Sequence, residues 1–205
     1  MSSALKTFLL VALFSVLIPS TVSAQGIRNG SSEVTAKVGS SNLEGIDNKD
    51  HVNFGFGVAY NFNKIVAIGF DYDNLPLGSY TNAYYVPSIT AKERLQLYGV
   101  TVRISLLHDK FAVPYVVAGA GGNVLSASAS SGGINVSASQ HGNYVGGGGG
   151  VSFYLTRHIG IRPEIRYEHQ HMDDTTVDGL LVDGSGKNDV RGTASVFYQF
   201  GGPRG

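Results

Sequence analysis

The chain has 205 residues, no cysteine, and 15 Lys and Arg against 15 Asp and Glu. Neutral balance excludes the strongly basic surface of a nucleic-acid binder, and the lack of cysteine excludes a disulfide framework and a thiolate metal site. Charged residues make up only 15% while glycine occurs 28 times, which is too little charge to clothe a soluble β-protein and about twice the usual glycine share.

The first element is an export signal. Lys6 precedes the apolar stretch Phe8 to Ile18, and Pro19 and the small residues Thr21-Val22-Ser23-Ala24 follow. A basic start, a short apolar run and a terminal Ala form a cleavable secretory signal peptide. As a helix the run would reach only ~17 Å, against ~30 Å for a hydrocarbon core. Residues 1–24 are therefore expected to be removed, leaving 25–205 as one domain with one more acidic than basic side chain.

Period-two alternation then dominates. Ser32 to Val38 sets Val34, Ala36 and Val38 against Glu33, Thr35 and Lys37. Val52 to Phe62 places Val52, Phe54, Phe56, Val58, Tyr60 and Phe62 opposite Asn53, Gly55, Gly57, Ala59 and Asn61. After the turn Asn63-Lys64, Ile65 to Asp73 returns as a partner strand. Arg94 to Ser105 alternates from Tyr98 onward, with Leu95 and Leu97 out of phase, which predicts a bulge or register change near its start. Phe111 to Gly121 carries Val113, Tyr115 and Val117 as its apolar face, and Tyr144 to Leu155 carries Val145, Val151, Phe153 and Leu155. Gly160 to His169 opposes Ile161, Pro163, Ile165 and Tyr167 to Arg162, Glu164, Arg166 and Glu168. Asp189 to Phe200 closes the series with Val190, Ala194, Val196, Tyr198 and Phe200 on one face. These are eight strands with no helix among them.

The connections alternate between long (39–51, 74–93, 122–143, 170–188) and short (63–64, 106–110, 156–159). Long loops at one end and tight turns at the other are the pattern of outer-membrane barrels, with both termini on the periplasmic side. The small residues opposite the apolar faces suit the inside of an eight-stranded barrel, where side chains fill the lumen. Tyr60, Phe62, Phe111, Phe153, Tyr198 and Phe200 fall near the short turns, and Tyr72, Tyr98 and Tyr167 toward the long connections, supplying two aromatic girdles. The expected fold is all-β, an eight-stranded antiparallel up-and-down transmembrane β-barrel.

Three stretches carry a family resemblance: Pro114-Tyr115-Val116-Val117-Ala118-Gly119; the pair Gly150 to Thr156 and Ile161 to Tyr167; and the terminal Val196-Phe197-Tyr198-Gln199-Phe200. In these the chain resembles the small OmpA/OmpX/OmpW-like outer-membrane barrels and related opacity-type surface antigens, over nearly all of its mature length. The resemblance implies that Tyr198 and Phe200 belong to a signal read by the barrel-insertion machinery, although five residues follow Phe200.

Candidate sites are few. Arg162, Glu164, Arg166 and Glu168, with Arg103 and with Glu33, Lys37, Asp71 and Asp73 in reach, are expected to form a paired network filling the lumen, since buried charges need partners. Acid-base chemistry or an ion-selecting constriction is the rival reading of the same residues. His169 and His171 share a strand face ahead of Asp173 and Asp174. They could serve a membrane-embedded hydrolase or a metal, but no serine motif and no third ligand stand at diagnostic spacing, so a solvated rim without catalysis is expected. The glycine run 146–150 lacks the Gly-Lys-Ser/Thr of a phosphate loop. Ala127 and Ala129, then Ile134, Val136 and Ala138, alternate about Ser131-Gly132-Gly133 and predict a hairpin that prolongs two strands beyond the membrane. The expected role is structural or surface-interacting, through extracellular loops facing a surface protein or host ligand; a narrow channel for small or apolar solutes is the alternative. Outer-membrane lipids and the insertion machinery are the expected partners, with no cofactor, metal or nucleic acid.

Overall fold

The computed structural model describes residues 26–43, 52–82, 89–107, 110–131, 134–177, 180–182 and 186–202. The expected signal segment 1–24 lies outside the described residues, as do portions of the long connections. The strands are β1 (Ser31–Leu43), β2 (Asn53–Asn61), β3 (Val66–Asn82), β4 (Ile89–Ser105), β5 (Ala112–Ser131), β6 (Ile134–Tyr154), β7 (Ile159–Met172), the short β8 (Thr175–Val177) and β9 (Leu180–Val182), and β10 (Gly186–Gly201). Eight of them close into an antiparallel barrel in the order β1-β10-β7-β6-β5-β4-β3-β2, while β8 and β9 pair only with each other. Closure joins the first and last strands, from Ser31↔Gly201 to Leu43↔Asp189. This topology is what hydrocarbon demands, because an unpaired peptide group there costs several kcal/mol and a closed barrel leaves no edge.

The short turns are fixed by local side-chain acceptors. Asn63 Oδ1 accepts from the backbone N–H of Ile65 and Val66, each at 2.7 Å, and Thr156 Oγ1 does the same for His158 and Ile159 at 3.2 and 3.0 Å. Such Asx and Ser/Thr turns reverse the chain without glycine. At the seam, Asn61 and Gln199 both donate to Ser31 Oγ, at 3.1 and 2.6 Å, tying β2, β1 and β10 together.

The apolar faces of β2, β3, β7 and β10 point outward: Phe56 is 55% exposed, Ile165 57% and Val196 56%. One face assignment fails. On β5 it is Val113, Tyr115 and Val117 that are buried in the lumen, and Val116 that faces out. The strand is apolar on both faces, so apolarity alone did not tell which side was lipid. On β4, Leu95 and Leu97 are out of phase because they too point inward, and the ladder to β5 runs without a break from Thr90↔Ser130 to Ser105↔Tyr115. The register change expected near Arg94 lies in the ladder with β3, where Leu77 is an extra residue between the pairs Pro76↔Arg94 and Gly78↔Glu93, and Gly78 has φ 151°.

The strands outrun their expected ends. The residues assigned to long connections at 74–93 and 122–143 are largely paired, because β3 extends to Asn82, β4 starts at Ile89, and β5–β6 pairing continues to Ser131↔Ile134. The β6–β7 ladder stops at Gly142↔Met172 and the β2–β3 ladder at Phe54↔Asn74. Strands β3 to β6 thus project beyond the closed barrel as a four-stranded sheet.

Candidate functional site

Period-two geometry turns every second side chain into the lumen, and the lumen is built in three layers. At the short-turn end Ile27, Val113, Tyr154 and Phe197 form an apolar layer, with the Tyr154 and Phe197 rings edge to face at 5.2 Å. At the other end Leu43, Leu75, Leu77, Leu95, Leu97, Tyr144 and Met172 form a second one. The charges lie between.

Glu33, 1% exposed on β1, is the centre of the ionic layer. Arg103 on β4 reaches both its carboxylate oxygens at 3.1 Å, and Arg162 on β7 reaches both at 2.8 and 3.0 Å. Arg162 also donates to Ser152 Oγ at 2.9 Å and lies 4.5 Å over the Phe197 ring, which couples the ionic layer to the apolar one beneath. Further along, Tyr115 donates to Glu164 at 2.7 Å and Arg166 Nε to the other Glu164 oxygen at 2.6 Å. Arg166 continues to Asp71 at 3.0 Å, and Lys37 sits between Asp71 and Asp73 at 2.9 and 3.4 Å. Arg191 joins Asp73 at 3.1 Å and also pairs with Glu168. The planar guanidinium fork suits these two-toothed contacts.

All five sequence-read network residues, Arg103, Arg162, Glu164, Arg166 and Glu168, meet in this layer. Missed were Arg191 and Tyr115. Arg191 is legible from the alternation of β10, which leaves Asp189, Arg191 and Ser195 opposite Val190 and Val196; Tyr115, buried in the lumen, sits on the face that apolarity alone assigns to lipid. A small cavity of about 30 Å³ remains among Glu33, Lys37, Asp71, Arg103, Arg162 and Arg166.

The remaining candidates lie apart from the lumen. Ala127, Ala129, Val136 and Ala138 fall on the projecting sheet, with Ala127↔Ala138 and Ala129↔Val136 facing across the ladder, and Ile134 pairs with Ser131 at its tip. Val136 is 52% exposed. His169 and His171 are exposed on the outer face of β7; His169 Nδ1 lies 3.0 Å from Asn188 Oδ1, which also accepts from Tyr167 at 2.7 Å. Among the described residues no group of three or more His, Cys, Asp or Glu is placed to hold a metal. Tyr198 and Phe200 point outward at the short-turn end with their rings stacked at 6.2 Å.

This geometry, a closed eight-stranded barrel with a greasy exterior and a charged interior, meets a matching family model. Residues 7–198 fit the family described as outer membrane protein beta-barrel domain. The chain belongs to that family. It is accordingly a bacterial outer-membrane barrel. No curated protein matches the sequence. Among solved structures, the fold is shared with Ail, the attachment invasion locus protein of Yersinia pestis (15% identity, 84% of this chain and 99% of that one, TM-score 0.56). It is shared likewise with Neisserial surface protein A (16% identity, 84% and 100%, TM-score 0.58). A major outer membrane protein from Thermus thermophilus also has it (8% identity, 84% and 100%, TM-score 0.58).

Proposed function

We propose that this outer-membrane barrel has a structural and surface-interaction role exerted from its long-connection end, and that it is neither a wide pore nor an enzyme. The observation that supports the reading is a lumen filled by side chains, with an ion-paired middle between two clusters of apolar residues, so the parts free to act are those beyond the barrel. In this reading residues 1–24 are cleaved, both termini lie in the periplasm, and Tyr198 and Phe200 present the assembly signal. The projecting β5–β6 hairpin, with Ala127, Ala129, Ile134, Val136 and Ala138, is the contact surface, since binding concentrates on segments carried by a rigid scaffold.

The ligand chemistry differs from one suggested by a structural neighbour. Ail has been solved in complex with the heparin analogue sucrose octasulfate. The hairpin segment 122–143 contains no Asp, Glu, Lys or Arg, so it offers no cation to a polysulfated ligand and suits an uncharged protein surface. The test is deletion of Ala127 to Ala138. These residues lie outside the closed part of the barrel, so the variant is expected to fold, to remain heat-modifiable on gels and to lose adhesion of the expressing cells to protein-coated surfaces. A variant that fails to assemble, or that adheres like the parent, refutes the assignment.

A further inference from the structure

The charges left out of the lumen and the loops gather at the short-turn end. Each of the three short turns carries one cation: Lys64 between β2 and β3, Lys110 between β4 and β5, and Arg157 between β6 and β7. A fourth, Arg28, precedes β1 and reaches the β6–β7 turn, its guanidinium 3.3 Å from His158 Nε2. Lys110 and Arg157 are exposed. The only acid that the sequence places in these turns is Asp109. Immediately beside them on the outer wall stand the exposed rings of Tyr60, Phe62, Phe111, Tyr198 and Phe200, which mark where hydrocarbon gives way to headgroups.

We propose that this rim is a docking surface for the phosphate-bearing headgroups of anionic phospholipids in the leaflet that surrounds it. Spacing decides between a lipid annulus and a single bound anion. Strands are ~4.8 Å apart and tilted about 40°, so turns two strands apart are separated by roughly 12 Å around the circumference. Lys64, Lys110 and Arg157 therefore cannot converge on one phosphate, but each can meet a different lipid of the ring. Their long apolar stems can lie along the aromatic belt while the charged heads reach the phosphate level. Basic groups at this depth attract anionic lipid, and salt screens the attraction.

The full chain, refolded into vesicles of phosphatidylcholine alone and into vesicles that also contain phosphatidylglycerol, tests this by the temperature at which the heat-modifiable folded form is lost. The expected result is a midpoint several degrees higher with phosphatidylglycerol, a gain abolished by high salt. In the variant Lys64→Gln, Lys110→Gln, Arg157→Gln the phosphatidylcholine midpoint is expected to stay and the gain to vanish. Inorganic phosphate added to phosphatidylcholine vesicles is expected to do nothing; an equal gain from it would make this a free-anion site and overturn the proposal. No gain in the parent, a gain that survives high salt, or a full gain in the triple variant would each overturn it too. The salt arm uses the parent protein, so the proposal stays exposed to refutation should the variant not assemble.

Discussion

Glu33 receives two guanidinium groups, each through a pair of hydrogen bonds, while itself almost inaccessible. Removing its charge would leave Arg103 and Arg162 facing one another in a sealed interior, and breaking a buried ion pair on one side costs about 3–5 kcal/mol. Glu33→Gln is expected to lower the unfolding free energy of the barrel by a matching amount, seen as a lower denaturant midpoint; a midpoint within error of the parent would show that water enters the layer and screens it. The outward ring of Phe200, 42% exposed, stacks on Tyr198 at the short-turn end. Phe200→Ser is expected to reduce the amount assembled in the outer membrane while leaving the stability of the assembled fraction nearly unchanged. Equal assembly would show that the residues after it have displaced the signal.

Among the strands, β6 shows why glycine accumulates where it does. A Cβ on Gly148 would stand 2.0 Å from the Ile165 carbonyl oxygen and 2.8 Å from the Arg166 Cα, both backbone atoms that cannot step aside. On the outer face, a Cβ on Gly147 meets only the Val117 carbonyl oxygen, at 3.3 Å. Gly148→Val is therefore expected to abolish the heat-modifiable form, and Gly147→Ala to retain it. The same inner and outer faces decide what could be read from sequence. Strands with charges or glycine inside, such as β2 and β7, declared their lipid side by alternation. On β5 the lumen side carries Val113, Tyr115 and Val117, and on β4 Leu95 and Leu97, because apolar clusters at the two ends of the lumen take Val113, Leu95 and Leu97 while Tyr115 turns its hydroxyl to Glu164. A rule that equates apolar with lipid-facing must invert there. Strand ends were misjudged for a related reason: beyond the bilayer the ladder continues, but neither face needs to be greasy, so the periodic signal fades before the hydrogen bonds do.

For the molecule as a whole, three stacked layers across the lumen predict electrical silence. In planar bilayers the folded protein is expected to show no sustained ohmic conductance, since eight strands enclose little space and ion-paired side chains fill the middle of it. Steady conductance in bilayers holding the purified barrel would mean that one apolar layer opens, and would revive the narrow-channel reading. Composition, turn lengths and alternation were enough to reach the barrel itself. Which loops bind, and what they bind, was not legible, because contact surfaces on loops follow no period.

The seam between β1 and β10 fixes the order in which this molecule can come into being. Ser31 finds its partner Gly201 at the far end of the sequence, whereas β5 finds β6 almost at once, from the pair Ser131↔Ile134 onward. Local pairings close quickly and distant ones slowly, because the entropy of a long loop must be lost before any contact compensates. The barrel therefore has no stable partial form in hydrocarbon: each intermediate carries two raw edges, and both disappear only in the final pairing. Because β10 is the last strand of the barrel in the chain, the pairing that removes both edges waits for every other strand.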